Sequence, residues 1–161
     1  MNSKNLVLNG IIAALYIAVT MLIQPFGFTA IQFRVSELFN HLIVFNKKFL
    51  YGIVLGVFLT NLLFSPMKGY DLIFGTGHSL LSLLITIFIC KYVKNIWARL
   101  AINTIVFTLM MWLIALELKL AFGLPFLETY YTTAAGEFIV LLAGIPVMYA
   151  LNKRINLAKA L

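Results

Sequence analysis

Residues 72–92 of the chain have the sequence LIFGTGHSLLSLLITIFICKY, in which the only charged side chain is Lys91, next to the end. An α-helix needs about 20 consecutive apolar residues to cross the ~30 Å hydrocarbon core of a bilayer. This stretch therefore predicts a membrane-spanning helix. The whole chain has the same character, because 63% of its 161 residues are hydrophobic and only 11% are charged. Soluble domains carry roughly twice that share of charged residues, so we expect the surrounding medium to be lipid.

Five further apolar segments accompany this one, and we expect an all-α membrane protein with six transmembrane helices in a single domain, residues 1–161. The predicted helices are Leu6–Gln24, Phe33–Phe45, Phe49–Phe64, Leu72–Tyr92, Ala98–Phe122 and Tyr130–Leu151. The second and third are short and lie close together, so they are expected to form a tight hairpin that need not cross the full bilayer. The first segment lacks a convincing cleavage site and is interpreted as a retained helix.

The basic residues are distributed unevenly over this topology. If the N-terminus is cytoplasmic, nine of them lie on the inner side and three, Arg34, Lys68 and Lys119, on the outer side. The nine inner residues are Lys4, Lys47, Lys48, Lys91, Lys94, Arg99, Lys153, Arg154 and Lys159. An excess of Lys and Arg marks the cytoplasmic side, so both termini are predicted to be cytoplasmic. The net charge of +7 is then explained by topology, and no nucleic-acid partner is expected.

The five acidic residues show the opposite pattern, since Glu37, Asp71, Glu117, Glu128 and Glu137 all fall in the outer half. Ionisable groups within membrane spans are costly and usually line a cavity or pair with one another. The acids therefore predict an outward-facing site that attracts cations. The simpler alternative is that they only complement the basic inner face, and for Glu128 the two interpretations are equally good.

Several polar residues near the outer ends of the helices are candidates for substrate binding. Arg34 and Glu37 lie three residues apart and can share a helix face, where an ion pair would anchor the helix or hold a ligand. Asp71 precedes an apolar run and is predicted to be a helix N-cap, while Asn61 lies near the outer end of the third helix. Glu137, next to Gly136 inside a span, is the best single candidate.

Other polar residues have a plain structural explanation beside a functional one. His78 is more often a satisfied core histidine than a ligand, and two histidines with one cysteine, Cys90, predict neither a metal site nor a disulfide. Glu117 and Lys119 could serve the site, but snorkelling of their side chains to the membrane surface explains them equally well. No nucleotide-binding loop or pairing of nucleophile and base is present, so we expect neither an enzyme nor a bound cofactor.

A stripe of small residues, Gly10, Ala14 and Ala18, recurs every four positions on the first helix. Such a stripe lets another helix approach closely in lipid. Spacing alone favours packing within this bundle over docking to a partner protein.

Five stretches of the sequence together resemble the QueT family. Members of this family are S components of energy-coupling-factor (ECF) transporters linked to uptake of queuosine precursors. The five stretches are Ala14-x-x-x-Ala18, Gln32-Phe33-Arg34-Val35-Ser36-Glu37, Gly52 to Asn61, Asp71 to Gly75, and Gly136-Glu137 with Gly144-Ile145-Pro146. The Phe-Arg-Val-Ser-Glu segment is fairly specific, whereas the alanine pattern is generic to S components. One departure is Phe39-Asn40-His41, where smaller or less polar residues are expected, so the details of the pocket could differ.

The resemblance implies a six-helix S component in the plasma membrane of a prokaryote, partnered by a transmembrane coupling protein and two cytoplasmic ATPases. The stripe Gly10, Ala14 and Ala18 would then contact the coupling protein. ATP hydrolysis in the partners would reorient the S component to release substrate inside.

The implied ligand is a 7-deazaguanine such as 7-aminomethyl-7-deazaguanine, which offers two adjacent donors on its purine edge and a cationic aminomethyl group. Glu137 or Glu37 would bind the edge, and another acid such as Asp71 would hold the ammonium. Candidates for stacking on the ring are Phe33, Tyr70 and Tyr131, and Asn61 and Arg34 could satisfy the ring acceptors.

Two alternatives stay open at this point. The chain could be an S component for queuine, another base or a water-soluble vitamin. It could also be a solitary small channel or facilitator, because polar residues within six helices would serve that function too.

Overall fold

The computed structural model describes residues 3–27 and 34–160, and every regular element within these two ranges is helical. The α-helices are α1 (Ser3–Gly27), α2 (Leu42–Phe45), α3 (Leu50–Phe64), α4 (Lys68–Cys90), α5 (Ile96–Met110), α6 (Trp112–Phe122), α7 (Phe126–Ile155) and α8 (Leu157–Ala160). Two 3-10 helices, Val35–His41 and Lys47–Phe49, precede α2 and α3.

Five helical segments within the described ranges are long and apolar enough to cross a membrane. They are Ser3–Ile23, Lys47–Phe64, Gly69–Cys90, Ile96–Phe122 and Phe126–Ile155. These five agree with five of the six predicted spans, although α4 and α7 begin about one turn earlier than predicted. The described residues thus form the all-helical fold of a multi-pass membrane protein.

The predicted second span is short, as expected, and a count of six transmembrane helices is not confirmed. Its described part, Val35–Phe45, consists of seven residues of 3-10 helix and four of α-helix. At about 2.0 and 1.5 Å per residue this segment is roughly 20 Å long, which is less than the ~30 Å hydrocarbon core. The segment packs against α1 and α7, so it is surrounded by protein and not by lipid.

The predicted fifth helix is interrupted near its middle. Asn95 caps α5 by accepting hydrogen bonds from the amides of Trp97 and Ala98, so the helix starts earlier than predicted. α5 then stops at Met110, and α6 starts after Met111. Gly123 ends α6 with a φ of 70°, a left-handed conformation that glycine adopts without strain.

Glycines allow α1 and α3 to pack closely with their chains running parallel. A Cβ atom on Gly52 would lie 2.7 Å from the carbonyl oxygen of Asn9, and one on Gly56 would lie 2.8 Å from Cβ of Tyr16. The side chain of Asn9 also accepts a hydrogen bond of 2.7 Å from the amide of Gly52, which satisfies a donor in the first turn of α3.

The stripe Gly10, Ala14 and Ala18 lies on a different face of α1 from these contacts, and all three residues are exposed. A Cβ atom added at Gly10 would meet no atom within 4 Å. The interpretation that the stripe packs inside this bundle is therefore wrong, because the helix uses Asn9 and Ala13 for that purpose.

The bundle has two chemically different ends. At the end that we call the basic end, Lys47, Lys91 and Arg99 line one groove. Lys48 lines another groove with Asn5 of α1, and Asn46 donates a hydrogen bond to the carbonyl of Ala158 near the C-terminus. Both described termini thus lie at the basic end, together with most of the basic residues.

Arg99 organises the basic end by binding backbone carbonyls. Its guanidinium donates to the carbonyl oxygens of Val93 at 2.7 Å, Cys90 at 2.8 Å and Val44 at 3.5 Å. Cys90 ends α4, Val44 lies in α2 and Val93 lies in the loop between α4 and α5, so one side chain of α5 ties three segments together. Between this end and the opposite one lies the main apolar core, which includes Ile53, Leu83, Leu100 and Phe107.

Candidate functional site

Four of the five acidic residues lie buried at the other end of the bundle, which we call the acid end. Glu37 comes from the first 3-10 helix, Asp71 from α4, Glu117 from α6 and Glu137 from α7, and each is at most 3% exposed. The fifth, Glu128, is exposed near the start of α7. The carboxylates are therefore gathered by four different elements and are not turned toward lipid.

Asp71 is held by Arg34 and Ser65. The guanidinium of Arg34 forms an ion pair of 3.0 Å with one carboxylate oxygen, and the hydroxyl of Ser65 donates to the other. The prediction that Asp71 is an N-cap is wrong, because α4 begins at Lys68 and Met67 occupies the cap position without a side-chain hydrogen bond. The ion pair could not be read from local sequence, since its partners are 37 residues apart.

Glu37 is also supplied with hydrogen-bond donors. The hydroxyl of Tyr16 donates to one carboxylate oxygen at 2.7 Å, and the side-chain amide of Asn40 donates to the other. The next turn of α1 adds a hydrogen bond of 2.7 Å from Thr20 to Ser36. Glu37 is thus fixed in place by α1, and it lies close enough to Arg34 for their charges to interact.

Glu137 differs from Glu37 in that part of its carboxylate has no donor. Its Oε1 atom is buried and has no hydrogen-bond partner among the residues that the structure describes. Glu137 lines a small cavity of about 10 Å³, which is room for roughly one water molecule. The lining residues are Arg34, Glu37, His78, Met111, Ile114 and Glu137.

His78 lines this cavity, and Asn61 lies behind it against Asp71. His78 contributes to the lining and donates from Nε2 to the carbonyl of Phe107 at 3.2 Å. Asn61 donates to the backbone carbonyl of Asp71 at 2.9 Å. Gly75 makes room for this arrangement, because a Cβ atom there would lie 2.8 Å from the amide nitrogen of Asn61 and 3.6 Å from a guanidinium nitrogen of Arg34.

Two of the aromatic residues proposed to stack on a ligand, Tyr70 and Tyr131, do not line the cavity. Tyr70 is 43% exposed and stacks on Phe74, and Tyr131 is 68% exposed beside Tyr130. Phe33 lies outside the described residues. A role for Tyr70 or Tyr131 in ligand binding stays a prediction, and it would require the side chain to turn inward.

The structure adds residues that were not predicted to take part in the site. Tyr16, Asn40 and Ser65 hold the carboxylates, while Met111 and Ile114 give the cavity an apolar wall. Glu117 is fully buried beside Asp71, and neither of its oxygens has a hydrogen-bond donor within residues 3–27 and 34–160. Snorkelling therefore explains the exposed Lys119 but not Glu117.

The unexpected Asn40 and His41 have a structural explanation. Asn40 donates to Glu37, as described above. His41 is fully buried, and its Nε2 donates to the carbonyl of Leu141 at 2.9 Å while its Nδ1 accepts from Asn103 at 3.1 Å. Both ring nitrogens are thus satisfied by a neutral imidazole, which connects the first 3-10 helix to α5 and α7.

A lipid-embedded helical bundle with a buried polar cavity at one end is typical of membrane proteins that handle a small polar solute. The comparisons with known proteins agree with this class. Residues 6–153 match the family model of the QueT transporter. The chain is 34% identical to the queuosine precursor transporter QueT of Lactococcus lactis subsp. cremoris (strain MG1363), with 92% of each chain covered.

The chain therefore belongs to the QueT transporter family, and the resemblance drawn from its sequence is confirmed. It is a multi-pass membrane transport protein. No solved structure matches the chain significantly.

Proposed function

We propose that this protein is the substrate-binding S component of an ECF transporter that imports a queuosine precursor, a 7-deazaguanine such as 7-aminomethyl-7-deazaguanine. The observation that carries the proposal is Glu137, a buried carboxylate with an unpartnered oxygen at the wall of a polar cavity. The substrate class is supported by the relative from Lactococcus lactis, whose name describes a queuosine precursor transporter.

The chemistry of a guanine-like edge suits Glu137. Its ring N–H and exocyclic amine are adjacent donors, and one carboxylate can accept both. Glu37 is less available for this purpose, because Tyr16 and Asn40 already donate to its two oxygens. Arg34 lines the same cavity and can donate to the ring acceptors. The nearby Asn61 already donates to Asp71, and the Nε2–H of His78 already donates to Phe107, so a role for these two in binding stays a prediction.

The cavity has to widen before such a ligand can bind. The cavity that the described residues line has a volume of about 10 Å³, far below the ~300 Å³ of small ligand pockets, so the lining residues must move apart to admit the ligand. Of the two residues of the apolar wall, Met111 occupies the break between α5 and α6 and Ile114 lies in the first turn of α6. A change of angle at this break would enlarge the cavity without disturbing α5.

The proposed orientation places the acid end outside and the basic end, with both termini, in the cytoplasm of a prokaryotic cell. The positive-inside rule supports it, because basic residues accumulate at one end of the bundle. The site would then face the exterior, where a substrate is captured.

The proposed partners are a transmembrane coupling protein and two cytoplasmic ATPases, which would supply the energy for import. The exposed stripe Gly10, Ala14 and Ala18 supports a docking surface on α1, since small side chains allow a partner helix to approach closely in lipid. Purification of the native complex tests this part, because a solitary channel or facilitator would need no ATPase subunits.

Substitution of Glu137 by glutamine tests the site. The change removes a charged acceptor and turns an amide toward the ligand's donors, which should cost about 1.5–3 kcal/mol, or roughly 10–150-fold in Kd. The measurement is calorimetric titration of purified protein with 7-aminomethyl-7-deazaguanine. The matched control is Glu128→Gln, which makes the same change at an exposed position near the same end.

Equal affinity of Glu137→Gln and the unsubstituted protein would remove Glu137 from the site. A panel that includes queuine and water-soluble vitamins separates the proposed ligand from the alternatives. Tighter binding of any of these than of the deazaguanine would reassign the substrate.

A further inference from the structure

We propose that Glu117 binds a cationic group on the ligand, so that the transporter selects deazaguanines with a positively charged 7-substituent over neutral ones. This inference rests on the proposed function and assigns a second carboxylate to the same site. Glu117 lies on α6 and, being three residues after Ile114, shares with it the helix face that borders the cavity.

The hydrogen bonds of the acid end distinguish Glu117 from its neighbours. Both oxygens of Asp71 are occupied by Arg34 and Ser65, and both oxygens of Glu37 by Tyr16 and Asn40. Glu117 is 0% exposed, and its polar neighbour is the carboxyl group of Asp71, so neither oxygen accepts a hydrogen bond from an amide, hydroxyl or cationic donor in the part of the chain that the structure describes. It is therefore a buried acceptor for which a ligand could supply the donors.

The position of Glu117 beside Asp71 makes a cationic donor the best match. Two buried carboxylates side by side cannot both be ionised without a compensating proton or cation. The guanidinium of Arg34 is already hydrogen-bonded to Asp71. A ligand ammonium placed against Glu117 would supply both the missing positive charge and up to three N–H donors.

Two ligands that differ only at this group make the test. 7-Aminomethyl-7-deazaguanine carries a cationic ammonium, while 7-cyano-7-deazaguanine has the same ring and a neutral nitrile that can only accept hydrogen bonds. Glu137 would bind the purine edge of both. The unsubstituted protein should bind the aminomethyl compound at least 10-fold more tightly, because a charge-assisted hydrogen bond is replaced by repulsion between nitrile and carboxylate.

The experiment is calorimetric titration of both ligands into the purified unsubstituted protein, Glu117→Gln and the control Glu128→Gln. We expect Glu117→Gln to weaken binding of the aminomethyl compound by about 10–150-fold and to leave the cyano compound within about threefold. Retained binding of the cyano compound shows that the variant is folded. The control should keep the preference of the unsubstituted protein.

Three results would overturn the inference. Equal affinity of the unsubstituted protein for the two ligands would do so even if Glu117→Gln failed to fold. Parallel loss of both ligands in Glu117→Gln would assign the residue a purely structural role. Unchanged binding of both would indicate that Glu117 is a neutral acid that donates to Asp71, since glutamine can make the same hydrogen bond. If the unsubstituted protein bound neither ligand, the proposed function itself would fail, whereas binding without a preference would refute only the role of Glu117.

Discussion

Replacement of Gly56 by alanine should destabilise the protein through the contact between α1 and α3. A Cβ atom at this position would lie 2.8 Å from Cβ and 3.0 Å from Cγ of Tyr16, and 3.3 Å from Cα of Ala13. Carbon atoms pack at about 3.5–4.0 Å, so the two helices would have to separate by roughly 0.7 Å. Tyr16 cannot simply turn away, because its ring is buried and its hydroxyl is bonded to Glu37.

The expected cost is that of overpacking, about 1–3 kcal/mol. At about 2–4 °C per kcal/mol, the unfolding temperature should fall by roughly 2–12 °C. Gly77→Ala is the matched control, since a Cβ atom there meets nothing within 4 Å and alanine is the better helix former by up to about 1 kcal/mol.

Thermal unfolding of both variants in the same detergent measures the difference. Gly56→Ala should unfold at a lower temperature than the unsubstituted protein, and Gly77→Ala at the same or a higher one. If Gly56→Ala were as stable as the unsubstituted protein, or if both variants lost stability equally, the close contact of α1 with α3 would not hold these helices together.

Two further predictions concern the acid end and the exposed face of α1. Arg34→Met should reduce the free energy of unfolding by about 3–5 kcal/mol, because it leaves Asp71 as a buried carboxylate without its ion-pair partner. The added change Asp71→Leu should restore most of the lost stability. Thermal unfolding of the single and double variants tests this, and a double variant no more stable than Arg34→Met would contradict it. Ala14→Trp and Ala18→Trp should prevent assembly with the coupling protein and the ATPases. Ligand affinity should stay unchanged, because both positions are exposed. Co-purification tests this prediction, and an intact complex would exclude the stripe as the docking surface.

The positions of the helices could be predicted from the sequence, because a run of apolar residues long enough to cross a bilayer has few alternative structures. The break at Met111 could not, since the apolar character continues from α5 into α6 without a proline or glycine. The short second segment is also difficult to interpret, because its 3-10 geometry depends on protein surrounding it.

The sequence predicted that the acidic residues lie at one end of the bundle, but not which residues they pair with. Charge asymmetry along the chain predicted that the carboxylates share one end, and the structure places four of them there. It could not predict that Arg34 would pair with Asp71, or that Tyr16 would serve Glu37, because these contacts join segments distant in sequence. The sequence also does not show whether the side chain of Glu117 points to the membrane surface or into the bundle, so snorkelling could account for it until the structure showed that it is buried.

The carbonyl contacts of Arg99 have a mechanical consequence for how a ligand enters. Because Arg99 connects α2 and the end of α4 to α5, these helices are held together at the basic end, which acts as a hinge. The helices can then move apart mainly at the acid end, where the carboxylate oxygens of Glu117 and Glu137 that lack hydrogen-bond donors lie. We expect amide hydrogen exchange near Arg99 to stay slow when ligand is removed, with the change confined to the far ends of the same helices.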